Sequence, residues 1–194
     1  MEWKGMKIPC LVENSGGIRM ADEFTIRAEF KANHIGGIQT IFAKRHPLST
    51  GNRPGVLVTL RGSLIEFMTF ENNGKKWRTA RTRRDVIKVG QKFEVLVFRD
   101  GSRVDIYVNG VNKTHPKYQT CWPGDLNSDM DVFIGGQLYD KPPLSEVFNG
   151  KIYSVELHDM ARLSAASPIR YPHNPFAFPL KDLPEKRKEL RLPI

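Results

Sequence analysis

The sequence predicts an all-β fold in which two antiparallel sheets pack face to face, and three observations predict it. Short runs alternate apolar and polar residues with period two, Gly, Asn, Asp and Pro separate them at near-regular intervals, and helical periodicity is almost absent. Eight or more such runs cannot all bury an apolar face in one layer, so a two-sheet sandwich is the economical architecture.

In FTIRAEF, Phe24, Ile26, Ala28 and Phe30 share one face while Thr25, Arg27 and Glu29 share the other, the pattern of a half-buried strand. GVLVTL joins SLIEFMTF through Arg61-Gly62, and the second run ends at Glu71-Asn72-Asn73-Gly74, where Asn-Gly tolerates the positive φ of a tight hairpin. FEVLVF is nearly continuous and is expected to be buried on both faces. Asp100-Gly101 then turns the chain, and Val104, Ile106 and Val108 face inward opposite Arg103, Asp105 and Tyr107. DVFIGG and GKIYSVELHD add two further strands, and MARLSAAS has helical spacing for one short turn before Pro168.

After Ala166 the composition changes, and the remaining segment holds six of the chain's 13 prolines. Repeated Pro denies the backbone both helix and interior strand, so this segment is expected to be an extended arm. Tyr171, Pro172, Pro175, Phe176, Phe178 and Leu180 are its candidate docking residues, because a purely solvating tail seldom carries aromatics. The arm lies either along its own domain or on a neighbour. The expected organisation is a lead strand or arm over 1–17, the sandwich over 18–166 and the Pro-rich arm over 167–194.

A length of 194 residues with 40% hydrophobic content supports one buried core. The formal charge of +9 suits an acidic partner, but Lys and Arg are spread along the whole chain, which disfavours nucleic acid. No run approaches the roughly 18 apolar residues of a membrane helix, and the first residues lack the apolar core of a secretory signal. The chain therefore reads as cytosolic when made, or as a mature form, with no membrane insertion expected. Cys10 and Cys121 fit neither a disulfide framework nor a zinc site and are expected to be free, buried thiols; a single disulfide stays open if the protein works outside the cell. Asn112-Lys113-Thr114 matches a glycosylation sequon, which matters only on a eukaryotic secretory route.

ADEFTIRAEFKA, IFAKR, GVLVTLRGSLIEFMTF, QKFEVLVFRDGSRVDIYVNGV, VFIGGQ and FNGKIYSVELHDMARLSAAS occur in an order that resembles the laminin-G-like domains of the concanavalin-A-like superfamily. The third hairpin, ending in Val-Asn-Gly, looks like that family's signature element. The resemblance implies a jelly-roll sandwich over roughly residues 18 to 166, and fold alone does not give function. Tyr171-Pro172-His173-Asn174-Pro175-Phe176 resembles the Asn-Pro-aromatic tail that follows such a domain in bacteriophage proteins. That likeness implies a non-enzymatic structural protein of a phage particle, a capsid decoration protein or a module of the tail or its fibres. Its partners would be other virion subunits, with identical copies in a symmetric array. The alternative is a lectin-like module that works outside the cell and binds host-surface glycan, with Trp77 or Trp122 stacking on a sugar.

The sharpest surface feature is Lys75-Lys76-Trp77-Arg78-Thr79-Ala80-Arg81-Thr82-Arg83-Arg84. As one extended strand it sends Lys76, Arg78 and Arg84 one way and Trp77, Arg81 and Arg83 the other. Arg forks suit carboxylates and phosphates, and Trp suits stacking on sugars, so an acidic protein patch or an anionic glycan is the expected partner. A solvated strand with a core Trp is the competing reading. The strand acids Glu66, Glu94, Asp105 and Glu156 read as isolated, whereas retaining glycoside hydrolysis needs two carboxyls about 5 Å apart. Calcium is common in the resembled family, and Asp125, Asn127, Asp129 and Asp131 alternate oxygen ligands in one loop. The loop lacks the Gly and terminal Glu of an EF-hand and reads as a polar loop before a strand, so no metal or other cofactor is assigned.

Overall fold

The computed structural model describes residues 10–12, 19–45, 54–70, 77–137, 146–159 and 190–193. In chain order the strands are β1 (Cys10–Val12), β2 (Glu23–Ala32), β3 (Ile38–Lys44), β4 (Gly55–Arg61), β5 (Leu64–Phe70), β6 (Trp77–Arg81), β7 (Lys92–Asp100), β8 (Arg103–Val108), β9 (Val111–Asn112), β10 (Val132–Ile134), β11 (Gly150–Asp159) and β12 (Leu190–Pro193). Sheet A runs β1-β10-β3-β4-β5-β6, sheet B runs β12-β11-β2-β7-β8-β9, and every pairing is antiparallel. This is the predicted two-sheet sandwich. Among the described residues there is no helix, so none is long and apolar enough to cross a membrane.

The alternation in FTIRAEF does what it predicts: Phe24, Ile26, Ala28 and Phe30 enter the core with Val95, Val97, Ile106 and Val155 of the same sheet. Sheet A answers with Ile41, Phe42, Val58, Leu60, Ile65 and Phe67. Phe24 and Phe67 meet across the interface edge-to-face, with ring centroids 6.0 Å apart, the geometry the ring quadrupole favours. The turns also follow the chain's chemistry. Asn109 and Gly110 both take positive φ, 48° and 78°, and close β8 onto β9 as a two-residue turn of this kind requires.

On the outer face of sheet B, Leu96 and Tyr107 stand in register and both are buried, as the unbroken FEVLVF run predicts for β7. Asp105 is buried there too, where simple alternation predicts exposure. It is satisfied by Arg103, by Asn112 at 3.1 Å and by Gln119 at 2.7 Å. The Asn73-Gly74 turn and the MARLSAAS segment lie outside the described residues.

Arg99 sits on the core side of β7 and is fully buried. Its guanidinium donates to the carbonyls of Ala21, Trp122 (3.0 Å) and Gly124 (2.7 Å), and pairs with Asp22 at 3.3 Å. One cation thereby ties the loop after β9 to the start of β2, and full satisfaction is what makes its burial tolerable. Cys121 beside it is a free, buried thiol whose pKa is pushed up by burial, with Arg99 opposing the rise.

Truncating Phe67 to Ala removes one side of the inter-sheet contact and leaves a cavity. Urea denaturation should show a loss of about 3–5 kcal/mol. A loss under about 1 kcal/mol would mean that this contact does not hold the sheets together.

Candidate functional site

The outer face of sheet A carries a polar strip that crosses four strands. It starts from a bulge in β3, where the pairing with β4 shifts between Thr40 and Phe42. The extra residue lets Ile41 and Phe42 both enter the core while Thr40 stays outside, opposite Thr59. Thr59 pairs with Glu66, and Glu66 with Arg81, so Thr40, Thr59, Glu66 and Arg81 form one row in register.

Glu66 is only 3% exposed and lies between two guanidiniums, Arg61 at 3.5 Å and Arg81 at 4.0 Å. Arg81 lies flat over the Tyr118 ring, 3.6 Å from its centroid, which orients the guanidinium fork. At the opposite end of the row, the Glu146 carbonyl accepts the Thr40 N–H at 2.7 Å, and its carboxylate accepts a hydrogen bond from the Gln137 amide. Burial lifts the Glu146 carboxyl above the ordinary carboxylate range, and the Gln137 hydrogen bond and the charges of Arg45 and Arg61 partly oppose it.

Among the described residues, Thr40 Oγ1, Thr59 Oγ1 and Gln137 Oε1 are buried without a hydrogen-bond partner. Each such atom costs roughly 1–3 kcal/mol, and all three side chains are closed off from solvent, so the strip carries a local energetic cost. An apolar strip runs alongside: Phe133, Ala43, Leu57 and Met68 stand in register, and Phe70 lies beyond them under the guanidinium of Arg45, 4.4 Å away. Trp77 pairs with Phe70 on the edge strand and is 58% exposed. Trp77 and Arg81 lie at opposite ends of β6, about 13 Å apart, so an extended ligand could stack a ring on Trp77 and meet the Arg81 guanidinium beyond it.

The predicted basic stretch is divided by this geometry. Its strand ends at Arg81, Thr82 bridges to Thr114, and Arg83 and Arg84 lie exposed beyond it. Trp77 and Arg81 share the outer face as the alternation predicts. Arg78 turns the other way and stacks 4.2 Å over Trp122. Trp77 is therefore a surface residue and not a core Trp, while Trp122 packs partly buried against the core with one face covered by Arg78. Lys76 and the arm residues Tyr171, Pro172, Pro175, Phe176, Phe178 and Leu180 lie outside the described residues.

The other candidate residues have structural partners. Glu94 and Glu156 are not isolated as their sequence contexts suggest: both meet Arg27 on the outer face of sheet B, because β2 lies between β7 and β11. In the acidic loop, Asp125 accepts the Asn127 N–H at 2.7 Å and Asn127 accepts the Met20 N–H. The buried Lys44 ammonium donates to the Met130 carbonyl at 2.7 Å; burial lowers its pKa, and Asp131 and Asp129 draw it back up. No group of three His, Cys, Asp or Glu that could hold a metal ion occurs among the described residues. The sequon residue Asn112 is exposed on β9 and bonded to Thr114 and Asp105. Sequence reasoning missed Thr40, Thr59, Gln137 and Glu146. Their one signal was Thr at outward-facing strand positions, which ordinary β propensity explains equally well.

A family model described as the concanavalin A-like lectin/glucanases superfamily matches residues 10–166. None of the curated proteins matches the chain in sequence. Among solved structures, domains LG4-5 of the mouse laminin alpha1 chain align with a TM-score of 0.58 at 12% identity, over 77% of this chain and 38% of that one. The Ruminococcus gnavus IT-sialidase CBM40, bound to alpha2,3 sialyllactose, aligns at 0.56 and 15% identity, over 71% and 76%. Domain 4 of AbnA, a GH43 extracellular arabinanase from Geobacillus stearothermophilus, in complex with arabinotriose, aligns at 0.50 and 15% identity, over 74% and 63%. At these identities the likeness is one of fold.

Replacing Thr59 by the isosteric Val removes a buried hydroxyl that has no partner. Thermal unfolding should show the variant at least as stable as wild type, by up to about 1 kcal/mol. A loss of more than about 1 kcal/mol would show that the hydroxyl is already satisfied within the fold.

Proposed function

Residues 10–166 make this chain a member of the concanavalin A-like lectin/glucanases superfamily, and from that membership we propose that it is a lectin-like module that binds carbohydrate on the outer face of sheet A. The observation that carries the reading is the exposed ring of Trp77 on the edge strand of that face, 58% exposed, with the Arg81 guanidinium further along the same strand and face, oriented by Tyr118. The apolar face of one sugar ring would lie on Trp77, and an oligosaccharide extending along β6 would reach the guanidiniums of Arg81 and Arg61, which the buried Glu66 holds between them. The activity proposed is binding and not bond cleavage. Among the structures similar in fold, the CBM40 and the AbnA domain are described with bound saccharides, which supports this reading. The site of action would be outside the cell that makes the protein.

A glycan array followed by calorimetry tests the assignment. Trp77→Ala should weaken binding at least about tenfold, ~1.4 kcal/mol, and Arg81→Ala by a similar factor, with the fold retained by circular dichroism. Absence of any glycan binding at millimolar concentration, or unaltered affinity in both variants, would refute it.

A second reading is a structural module of a phage particle. β1 and β12 each pair by main-chain bonds with this chain's own β10 and β11, and the same edge pairing exchanged between copies would tie neighbouring subunits together. Removal of residues 168–194 should then abolish incorporation into purified particles while the sandwich stays folded. Normal incorporation of the truncated chain would exclude an anchoring role for the arm.

A further inference from the structure

The polar strip ends in a pair whose hydrogen bonding is complete in only one protonation state. The Gln137 amide N–H donates to the Glu146 carboxylate, yet Gln137 Oε1, in a side chain 2% exposed, has no donor among the described residues. Exchanging the amide's oxygen and nitrogen only moves the defect, because an ionised carboxylate accepts and cannot donate. A protonated Glu146 supplies the missing O–H. The two groups then close a reciprocal acid–amide pair, N–H to carbonyl in one direction and O–H to carbonyl in the other.

The segment is built to hold this geometry. Glu146 has φ of 54°, a left-handed conformation that a Glu seldom adopts. It is pinned through its own carbonyl to Thr40, and through Asn149 N–H to Gln39 Oε1 at 2.7 Å. Among the described residues, the charged groups facing it are Arg45 just after β3 and Arg61 at the end of β4, and Arg61 reaches on to Glu66 of β5 and thence to Arg81 of β6.

Resting on the carbohydrate reading above, we infer that Glu146 and Gln137 form a proton-holding pair that sets the charge of the binding face, so that acidic saccharides bind with uptake of one proton. Among the described residues, with Glu146 neutral, Arg61 and Arg81 outnumber the carboxylate of Glu66 and the face attracts an anionic sugar. Ionised, Glu146 adds a second negative charge that cancels this excess. Burial acts in the required direction, holding the proton above the ordinary carboxylate range. For a raised carboxyl, the stability contributed by the neutral form is complete below the ordinary carboxylate range and is lost as pH rises through the raised value.

Carboxyl-carbon NMR of the unliganded protein, with Glu146→Gln to assign the signal, tests the pair without any sugar. The Glu146 resonance should titrate above the other glutamates and the Gln137 amide should shift with it. Titration within the ordinary range, or a Gln137 signal that does not move, overturns the pair. Acidic and neutral glycans on one array, read at mildly acidic and mildly alkaline pH, test the coupling. Affinity for acidic glycans should fall by up to about tenfold per pH unit across the Glu146 titration, the limit for one linked proton, and Glu146→Gln should abolish that fall. The same pH dependence in the variant, or in neutral glycans, overturns the coupling. A raised titration with no glycan bound at any pH would leave the proton pair standing and overturn the carbohydrate reading itself.

Discussion

The edge-to-face contact of Phe24 and Phe67 decides which way the side chains of sheet A point. Side chains alternate along a strand, so once Phe67 is committed to the core, Glu66 and Met68 on either side must face outward. β5 lies between β4 and β6, and the same decision propagates through cross-strand register to Leu57 and Thr59, and to Thr79 and Arg81. A one-residue slip would exchange the two faces, burying Glu66 among phenylalanines and turning Phe67 to the outside. The inter-sheet core and the polar strip are two consequences of one packing choice.

The strip is energetically unusual in a face that alternation would fill with solvated side chains. Thr40, Thr59 and Gln137 together hold three buried oxygens without donors, each costing roughly 1–3 kcal/mol. That sum is large against the net stability of a domain, about 5–15 kcal/mol, so the apolar packing beneath it must be good. The outer face of sheet B is different. There Arg27 meets Glu29, Glu94 and Glu156, and Lys92 meets Glu29 at 2.7 Å, so its charges are spent on one another.

The fold was legible because its signals are local. FTIRAEF alternates without interruption, Gly62 and Gly101 take positive φ where the chain turns, and Val-Asn-Gly closes its hairpin. The site was less legible because it depends on two things that a linear pattern hides. A bulge at Ile41 breaks the alternation and places Thr40, and an equivalent shift near Tyr153 does the same in β11. The second is strand order, which brings Glu146 and Gln137 to Thr40 and joins Glu94 to Glu156 through Arg27. Trp77 and Arg81 were visible as types, but their separation from Arg78 and Trp122 follows from which side of an edge strand each occupies. Nothing in the spacing of the acidic loop revealed that the buried Lys44 ammonium lies beside its carboxylates.

The central claim is a location: the outer face of sheet A binds the ligand. Amide chemical-shift mapping of the labelled protein, titrated with the tightest-binding glycan from an array, tests that location directly. Shifts should concentrate along β6 from Trp77 to Arg81 and at Arg61, with Arg27, Glu94 and Glu156 undisturbed. Shifts centred on the Arg27 face of sheet B, with Trp77 and Arg81 unmoved, would contradict it.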